Sequence, residues 1–398
     1  MGSNSWDTEE KGYEDTYGKM KEINMFDIKV NIVGDFIESY IYSGVLFTVD
    51  TNGVLCSYSW DHLIKRYLSF YPEYTKLKNR LLDSRKNNAS LLCEDITITI
   101  DKKFLNENQK GTCTGLDVWC TDLDVKDNIL YIASEKGVET IPFVEEWNNG
   151  VVQNFVEPDT VWSGAKVFGL STGSWGRTIL AAGTSGAIEI VNNKVSQVKQ
   201  IGLSKKVEKE IDNNIILDCE WNSFSTLAIL DGLDKKIAYK FNNIGSDSFL
   251  KGNVKAHDDF IKLSDKEKKD KFNKILKALE RENSENVSLE DFAHSWFEDN
   301  ILHAIDHNNM TYTLKREGWV KSNKESFFDE LSVVKLKNIS VGSFVETEDD
   351  ELYRLINGTK HTLPEDFTSW RVFPRSKNYQ DRIHIVYDDF LQIRIFDC

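Results

Sequence analysis

The chain repeats one short pattern seven times: an alternating apolar run, a tight polar turn and a second alternating run. Apolar residues at every second position place their side chains on one face of a strand. A turn of Asp, Asn, Gly or Ser between two such runs is typical of a β-hairpin. The seven units begin at Gly44, Asn128, Arg177, Ser225, Asn300, Gly342 and Arg382. Seven hairpins predict seven separate sheets.

The spacing of the hairpins predicts blades of similar size. Four of the six intervals between successive turns are about 40 to 50 residues long, which is the length of a four-stranded propeller blade. Runs after some hairpins, such as 151–156 and 194–201, supply outer strands. The runs that supply inner strands are 116–125, 165–170, 215–220, 333–339 and 370–373. We predict an all-β fold, a seven-bladed β-propeller of four-stranded antiparallel blades.

The two ends of the chain are predicted to complete one blade together. The seventh hairpin ends at Phe396, two residues before Cys398, so the last blade lacks an outer strand of its own. The alternating segment 26–33 (FDIKVNIV) precedes the first blade, and we assign it as that strand. Such closure removes an exposed sheet edge. We therefore expect a disordered acidic tail over 1–24 and a single propeller domain over 25–398.

This organisation resembles the WD-repeat type of β-propeller over residues 26–398. The resemblance rests on architecture, because no repeat opens with Gly-His and no hairpin ends in Trp-Asp at the expected place. Trp60-Asp61 occurs once, just after the first hairpin. The resemblance implies a rigid platform that binds other macromolecules.

Charge and composition limit the partners and the compartment. The formal net charge is −15, which disfavours nucleic acid, since phosphate backbones are bound by clustered Lys and Arg. The N-terminal residues have no apolar core typical of a secretory signal, and no apolar run reaches the length of a bilayer span. We expect an intracellular protein, cytoplasmic or nuclear, with its six cysteines reduced.

The first long interval between hairpins contains a helical insertion over about 61–87. Apolar and aromatic residues recur there at steps of three or four, which places them on one helical face. Pro72 predicts a break between two helices near Phe70. The stripe either packs on the side of the ring or forms a docking face for a partner. The candidate docking residues are Leu63, Tyr67, Phe70, Tyr74 and Leu77.

A second helical insertion is predicted over about 257–292. Ser264 and Glu267 form a capping box at its start. A basic stripe follows, which is either a solvated face or a contact for an acidic partner, with a membrane surface or RNA as further alternatives. The stripe consists of Lys271, Lys274, Lys277 and Arg281. A second start signal at 288–291 leaves open a short helix or the inner strand of blade five.

Carboxylates in two predicted inner strands are the candidates for enzyme chemistry. They could face the central channel, where propeller enzymes commonly place carboxylates or metals. The candidates are Asp122, Asp124, Asp218 and Glu220. The alternative is that they form the polar lining of a solvated channel. The sequence contains no phosphate-binding glycine loop and no nucleophile elbow.

These observations favour a scaffold or adaptor subunit that binds one or more proteins through rim loops and helical insertions. We predict no catalytic residues, no metal and no cofactor. A propeller-based hydrolase with carboxylates at the channel mouth is the first alternative. A lipid or nucleic-acid binder that uses the basic helix is the second, with membrane contact at most peripheral. The sequence leaves the oligomeric state open.

Overall fold

Seven sheets, each built around an inner strand, a hairpin and an outer strand that pair antiparallel, form the ring of the protein in the computed structural model. The structure describes residues 26–83, 92, 94–107, 113–116, 118–126, 128–143, 145–146, 151–152, 158–173, 177–191, 207–221, 227–240, 262–267, 269–270, 273, 286–298, 301–322, 332–356, 358–363 and 365–396. All seven predicted hairpins are present, which confirms the seven-bladed β-propeller and its WD-repeat-like architecture. The predicted tail over 1–24 lies outside the described residues.

Each blade begins with an inner strand at the channel and ends with an outer strand at the rim. Blade 1 contains Phe36–Tyr42, Val45–Asp50, Val54–Ser59 and Cys113–Gly115. Blade 2 contains Cys120–Lys126, Ile129–Ser134, Gly137–Pro142 and Asp159–Trp162. Blade 3 contains Gly169–Thr172, Arg177–Ala181, Ala187–Val191 and Val207–Asp212. Blade 4 contains Ile216–Trp221, Leu227–Gly232, Lys236–Lys240 and Val287–Ser288.

The remaining blades follow the same order. Blade 5 contains Phe292–Glu298, Ile301–Asp306, Thr311–Lys315 and Gly318–Lys321. Blade 6 contains Val333–Ile339, Gly342–Thr347, Leu352–Ile356 and Thr359–Thr362. Blade 7 contains Ser369–Val372, Arg382–Val386, Phe390–Phe396, Asp27–Val33 and Ile96–Ile100. Apolar side chains of adjacent blades pack into shared clusters between the sheets, so the core is a series of wedges around the channel.

The first strand of the chain closes the ring, as predicted. Asp27–Val33 pairs antiparallel with Phe390–Phe396 over seven residues, from Asp27 opposite Phe396 to Val33 opposite Phe390. Ile28, Val30 and Ile32 are fully buried on one side of this strand. Arg394 and Asp27 form an ion pair across the seam.

Blade 7 has a fifth strand that the sequence did not predict. Ile96–Ile100 pairs parallel with Asp27–Val33, and its buried isoleucines alternate with exposed threonines. The first insertion therefore begins with the helix Trp60–Phe70, the 3-10 turn Pro72–Leu77 and the helix Lys78–Leu82, and continues through this strand to the helix Lys102–Glu107. The predicted break at Pro72 is confirmed, but the predicted end at 87 is too early, because the insertion supplies an edge strand to the neighbouring blade.

One predicted outer strand is wrong, and another lies outside the described residues. In the described part of the chain Val151–Val152 pairs with Glu145–Glu146, and the outer strand of blade 2 is Asp159–Trp162. Trp162 is buried in the cluster between blades 2 and 3, and this packing holds Asp159–Trp162 at the edge of blade 2. The predicted strand 194–201 is the one outside the described residues, and blade 3 uses Val207–Asp212.

The second insertion ends earlier than predicted. Val287–Ser288 completes blade 4, and Phe292–Glu298 is the inner strand of blade 5. The apparent helix start at 288–291 is a turn, in which the Ser288 hydroxyl accepts a hydrogen bond from the Glu290 amide at 3.3 Å. The capping box at the start of the insertion is present, since the Ser264 amide donates to Glu267 Oε2 at 2.9 Å.

A disulfide joins Cys56 and Cys113, so the expectation of reduced cysteines is wrong for this pair. The two residues lie directly opposite each other on the third and outer strands of blade 1. They close a loop of 57 residues that contains the whole first insertion. Cys120 and Cys219 are buried free thiols, consistent with small apolar residues in the core.

Truncation of the closing strand should destabilise the whole ring. Val30→Ala removes buried methyl groups from the seam, so we expect the free energy of unfolding to fall by about 2–3 kcal/mol. Val33→Ala is the matched control in the same strand, because Val33 is exposed and its loss should cost less than about 1 kcal/mol. Urea denaturation followed by tryptophan fluorescence measures both. Equal losses in the two variants would contradict a buried seam.

Reduction of the disulfide should loosen blade 1. A crosslink across a loop of this length stabilises the folded chain by up to about 4 kcal/mol, mainly by restricting the unfolded chain. Reduced protein should therefore unfold at a lower urea concentration. Alkylation of denatured, unreduced protein followed by peptide mass spectrometry is the direct check: Cys120 and Cys219 should be modified, while modification of Cys56 and Cys113 would contradict the disulfide.

Candidate functional site

The inner strands place charged side chains around a central channel of about 1300 Å³. In five blades the pairing of the inner strand with the second strand shifts by one residue near its start, which is a β-bulge. The residues that follow the bulge are Glu38, Asp122, Asp218, His294 and Lys335. Two positions later, on the same strand face, stand Tyr40, Asp124, Glu220, Trp296 and Lys337. The channel wall is therefore built from equivalent positions in successive blades.

Arg371 of blade 7 connects two carboxylates from other blades. Its Nη2 lies 3.0 Å from Glu38 Oε2 and 2.5 Å from Asp122 Oδ1, and its Nη1 donates to the Leu123 carbonyl at 3.0 Å. Burial raises the pKa of Asp122 above its ordinary value, and the Arg371 guanidinium opposes that rise. One guanidinium thus joins blades 1, 2 and 7.

Asp124 is the most fully satisfied carboxylate of the channel. Its Oδ2 lies 2.5 Å from Arg375 Nη2 and accepts the Thr172 amide and hydroxyl, both at 2.8 Å, while Oδ1 accepts the Tyr40 hydroxyl at 2.8 Å. Burial alone would raise the pKa of Asp124, but Arg375 and the hydrogen bonds from Thr172 hold it below its ordinary value. Asp124 therefore stays ionised and fixed between blades 1, 2, 3 and 7.

On the other side of the channel, Lys337 of blade 6 pairs with Glu220 of blade 4. Burial alone would lower the pKa of Lys337, but Glu220 and Asp218 raise it above its ordinary value. Lys337 lies 4.0 Å from Asp218 Oδ2, so its short contact is with Glu220. Asp218 keeps a side chain that is 58% exposed.

Lys335 is directed toward blade 7. Its Nζ donates to the Trp370 carbonyl at 3.2 Å and lies 4.4 Å from the centroid of the Trp370 ring. The Trp370 indole in turn donates to Glu346 Oε2 at 2.7 Å. Burial, together with the neighbouring Lys337, lowers the pKa of Lys335. The blade 6 to blade 7 junction therefore uses a cation over an aromatic ring.

The structure places all four predicted channel carboxylates in the channel wall. It also shows partners that sequence reasoning missed, namely Glu38, Lys335, Lys337, Arg371 and Arg375. All of these except Glu38 lie in or beside predicted inner strands. The alternation of residues in those strands could therefore have predicted that they face the channel. Three of the four predicted carboxylates are held in short ion pairs. Among the described residues, no group of three or more His, Cys, Asp or Glu side chains is placed to hold a metal ion.

A buried Ser-His contact also joins blade 1 to blade 7. The Ser39 hydroxyl and His384 Nδ1 are 2.9 Å apart, but each residue is about 1% exposed. Burial and the nearby Arg382 lower the pKa of His384 well below its ordinary value. A substrate cannot reach this pair in the folded ring, so it joins blade 1 to blade 7 as a structural contact.

The first insertion packs most of its predicted docking stripe against the ring. Leu63, Tyr67 and Leu77 are buried in the cluster that also contains the closing strand, and Tyr74 is partly buried against it. Phe70 is 57% exposed. A partner could thus reach Phe70 more readily than the rest of the stripe. The basic stripe Lys271, Lys274, Lys277 and Arg281 lies outside the described residues.

One face of the ring exposes apolar side chains around the channel mouth. We call it the turn face: the end where the inner strands begin and the hairpin turns between second and third strands lie. Trp119 is 52% and Val334 is 53% exposed there, next to the inner strands of blades 2 and 6. Six of the ten exposed large apolar residues in the described part of the chain lie at this end: Val33, Trp119, Phe168, Leu217, Leu233 and Val334. The turn face is therefore the most apolar exposed region of the described ring.

None of the helices in the described residues has the length and apolar character needed to cross a membrane.

Removal of Arg371 should destabilise the ring, because it leaves Glu38 and Asp122 without their shared cation. We expect Arg371→Met to lower the free energy of unfolding by about 3–5 kcal/mol at neutral pH. Arg316→Met, at an exposed hairpin position, is the matched control and should change it by less than about 0.5 kcal/mol.

The deficit of Arg371→Met should depend on pH. Without Arg371 the already raised pKa of Asp122 rises further, and the ionised carboxylate then destabilises the folded state above that pKa. The deficit relative to the unsubstituted protein should therefore shrink as the pH falls through the raised pKa of Asp122, which denaturation at several pH values measures. A deficit that is constant with pH would show that lost packing, and not an unpaired carboxylate, dominates.

Comparisons with known proteins found solved structures of low similarity only. No protein-family model matches the chain, and no curated protein matches it in sequence. Among solved structures, the WD40 β-propeller domain of Doa1 is 11% identical, with 92% of this chain and 97% of that chain covered and a TM-score of 0.44. BBS1N, solved in complex with ARL6DN, is 8% identical, with 93% and 96% covered and a TM-score of 0.46.

The extracellular domain of the putative one-component system BT4673 from B. thetaiotaomicron is 10% identical, with a TM-score of 0.44. Its match covers 90% of this chain but 39% of the other, so the chain spans about two fifths of that domain. Because the identities and TM-scores are low, no statement about the fold or the residues of this chain rests on these three similarities.

Proposed function

We propose that the protein is a non-enzymatic interaction scaffold that binds a partner protein through its turn face. The proposal rests on one contrast: the charged side chains of the channel are paired with each other, whereas the turn face exposes apolar side chains. The channel carboxylates Glu38, Asp122, Asp124 and Glu220 are engaged by basic side chains, while large apolar side chains remain exposed around the channel mouth. Exposed apolar residues gathered on one face are typical of a protein-binding surface.

The paired charges also argue against the hydrolase alternative. A general acid or base must be able to exchange a proton with the substrate at the working pH. Asp124 has its pKa held low by Arg375 and Thr172, and both its oxygens accept hydrogen bonds. Rigid ion pairs of this kind hold blades in register, which is what a scaffold needs.

A lipid or nucleic-acid binder is less well supported. The net charge of −15 disfavours polyanions. An apolar face of this kind fits a partner protein better than a polyanion. The proposal does not depend on the second insertion.

Substitution of the turn face should remove partner binding without unfolding the ring. We expect the triple variant Trp119→Ser, Leu217→Ser, Val334→Ser to lose at least about ten-fold in partner recovery, since exposed aromatic and apolar anchors dominate such interfaces. The measurement is affinity purification with quantitative mass spectrometry from cells that express each variant at equal level.

The matched control is Ile301→Ser, Val320→Ser, because both residues are exposed and neither lies on the turn face. Thermal unfolding should be similar for both variants. Recovery of the same proteins by the triple variant and the unsubstituted chain would refute the turn face as the binding surface.

A further inference from the structure

Among the described inner-strand carboxylates of the channel, Asp218 is the one without a basic nitrogen within 3.0 Å. Of the five carboxylates at the equivalent inner-strand positions, Glu38, Asp122, Asp124 and Glu220 each have a basic nitrogen within 3.0 Å. The cation nearest to Asp218 is Lys337, at 4.0 Å, and Lys337 is already bound to Glu220. Asp218 therefore shares Lys337 with Glu220 and has the longest ion-pair distance of the five carboxylates.

The Asp218 side chain is fixed but accessible. Its Oδ1 accepts the Cys219 amide at 2.8 Å, which sets the direction of the carboxylate. In the described part of the chain, the cation nearest to its Oδ2 is the Lys337 ammonium, at 4.0 Å. With 58% of the side chain exposed, this oxygen can accept a hydrogen bond from an incoming group without loss of an existing one.

Apolar side chains flank this carboxylate. Leu217 is the extra residue of the bulge and is exposed beside it. Phe168 is exposed on blade 3, and the next residue, Gly169, lies so close that a Cβ there would be 3.2 Å from Asp218 Oδ1. Val334 and Asp218 line the same small recess between blades 4, 5 and 6. Asp218 thus stands between apolar groups from three blades.

The other basic groups near Asp218 have partners of their own or are neutral. Lys166, whose Nζ lies 4.9 Å from the centroid of the Phe168 ring, also pairs with Glu135 at 3.8 Å. Lys335 donates to the Trp370 carbonyl, and Lys236 lies 3.3 Å from Asp231. Burial and the nearby Lys236 lower the pKa of His294 to about 4, so it carries no charge at neutral pH. The complementary ligand for the recess is therefore a cation with apolar neighbours.

We propose that Asp218 binds a Lys or Arg side chain of the partner protein, in a segment whose neighbouring apolar residues pack on Phe168, Leu217 and Val334. The inference rests on the proposed scaffold function and names the chemistry of its partner. A charge-assisted hydrogen bond supplies the selectivity, and the apolar contacts exclude water around it.

The test uses a phage-displayed library of random twelve-residue peptides, selected on the full chain and on Asp218→Asn, Asp218→Lys and Asp234→Asn. Asp234 is an exposed acid in the hairpin turn of blade 4, on the same face, and serves as the matched control. Peptides selected on the full chain should be enriched in Lys or Arg next to apolar residues. Asp218→Lys should select acidic peptides instead.

A synthetic peptide from the selection then gives the affinities by calorimetry. We expect at least ten-fold weaker binding to Asp218→Asn and less than two-fold change for Asp234→Asn, with unchanged thermal unfolding. No selected peptide, no basic enrichment, or equal affinity for Asp218→Asn would overturn the assignment of Asp218. If Asp218 fails this test but the triple Ser variant still loses its partners, partner binding through the turn face stands. Only the proposed recognition of a Lys or Arg side chain by Asp218 is then wrong.

Discussion

The pairing of Asp27–Val33 with Phe390–Phe396 is the interaction on which the rest of the molecule depends. It brings blade 7 against blade 1, and only then can Arg371 reach Glu38 and Asp122, or His384 reach Ser39. The charged channel is therefore a product of ring closure. Loss of the seam would leave these buried groups unpaired, so closure and channel electrostatics are energetically coupled.

The sequence predicted the hairpins and the seam because both are signalled by local alternation and turns. It did not predict Ile96–Ile100 as a fifth strand, because parallel pairing with Asp27–Val33 depends on a non-local edge that becomes available only after closure. The outer strand of blade 2 was misassigned for a related reason. Several apolar runs follow its hairpin, and packing between blades decides which of them pairs, as Trp162 does for Asp159–Trp162.

The candidate site was predicted in part. Asp122, Asp124, Asp218 and Glu220 were assigned to the channel from their place in two inner strands, and the structure places them in its wall. Their partners Arg371, Arg375 and Lys337 come from blades 6 and 7, more than a hundred residues later in the chain. The local sequence pattern does not indicate which blades face each other across the channel. The basic partners of these carboxylates could therefore not be predicted from it.

The β-bulges link the interior of the ring to its binding face. Each bulge inserts one extra residue, which reverses the direction of the side chains that follow it. In blade 4 the bulge directs Asp218 toward the channel and leaves Leu217 exposed, and in blade 6 it does the same for Lys335 and Val334. These exposed apolar residues of the turn face thus lie on the same rigid strands as the residues that form the ion pairs. A partner that binds there meets a surface whose geometry is already fixed, which lowers the conformational entropy lost on binding.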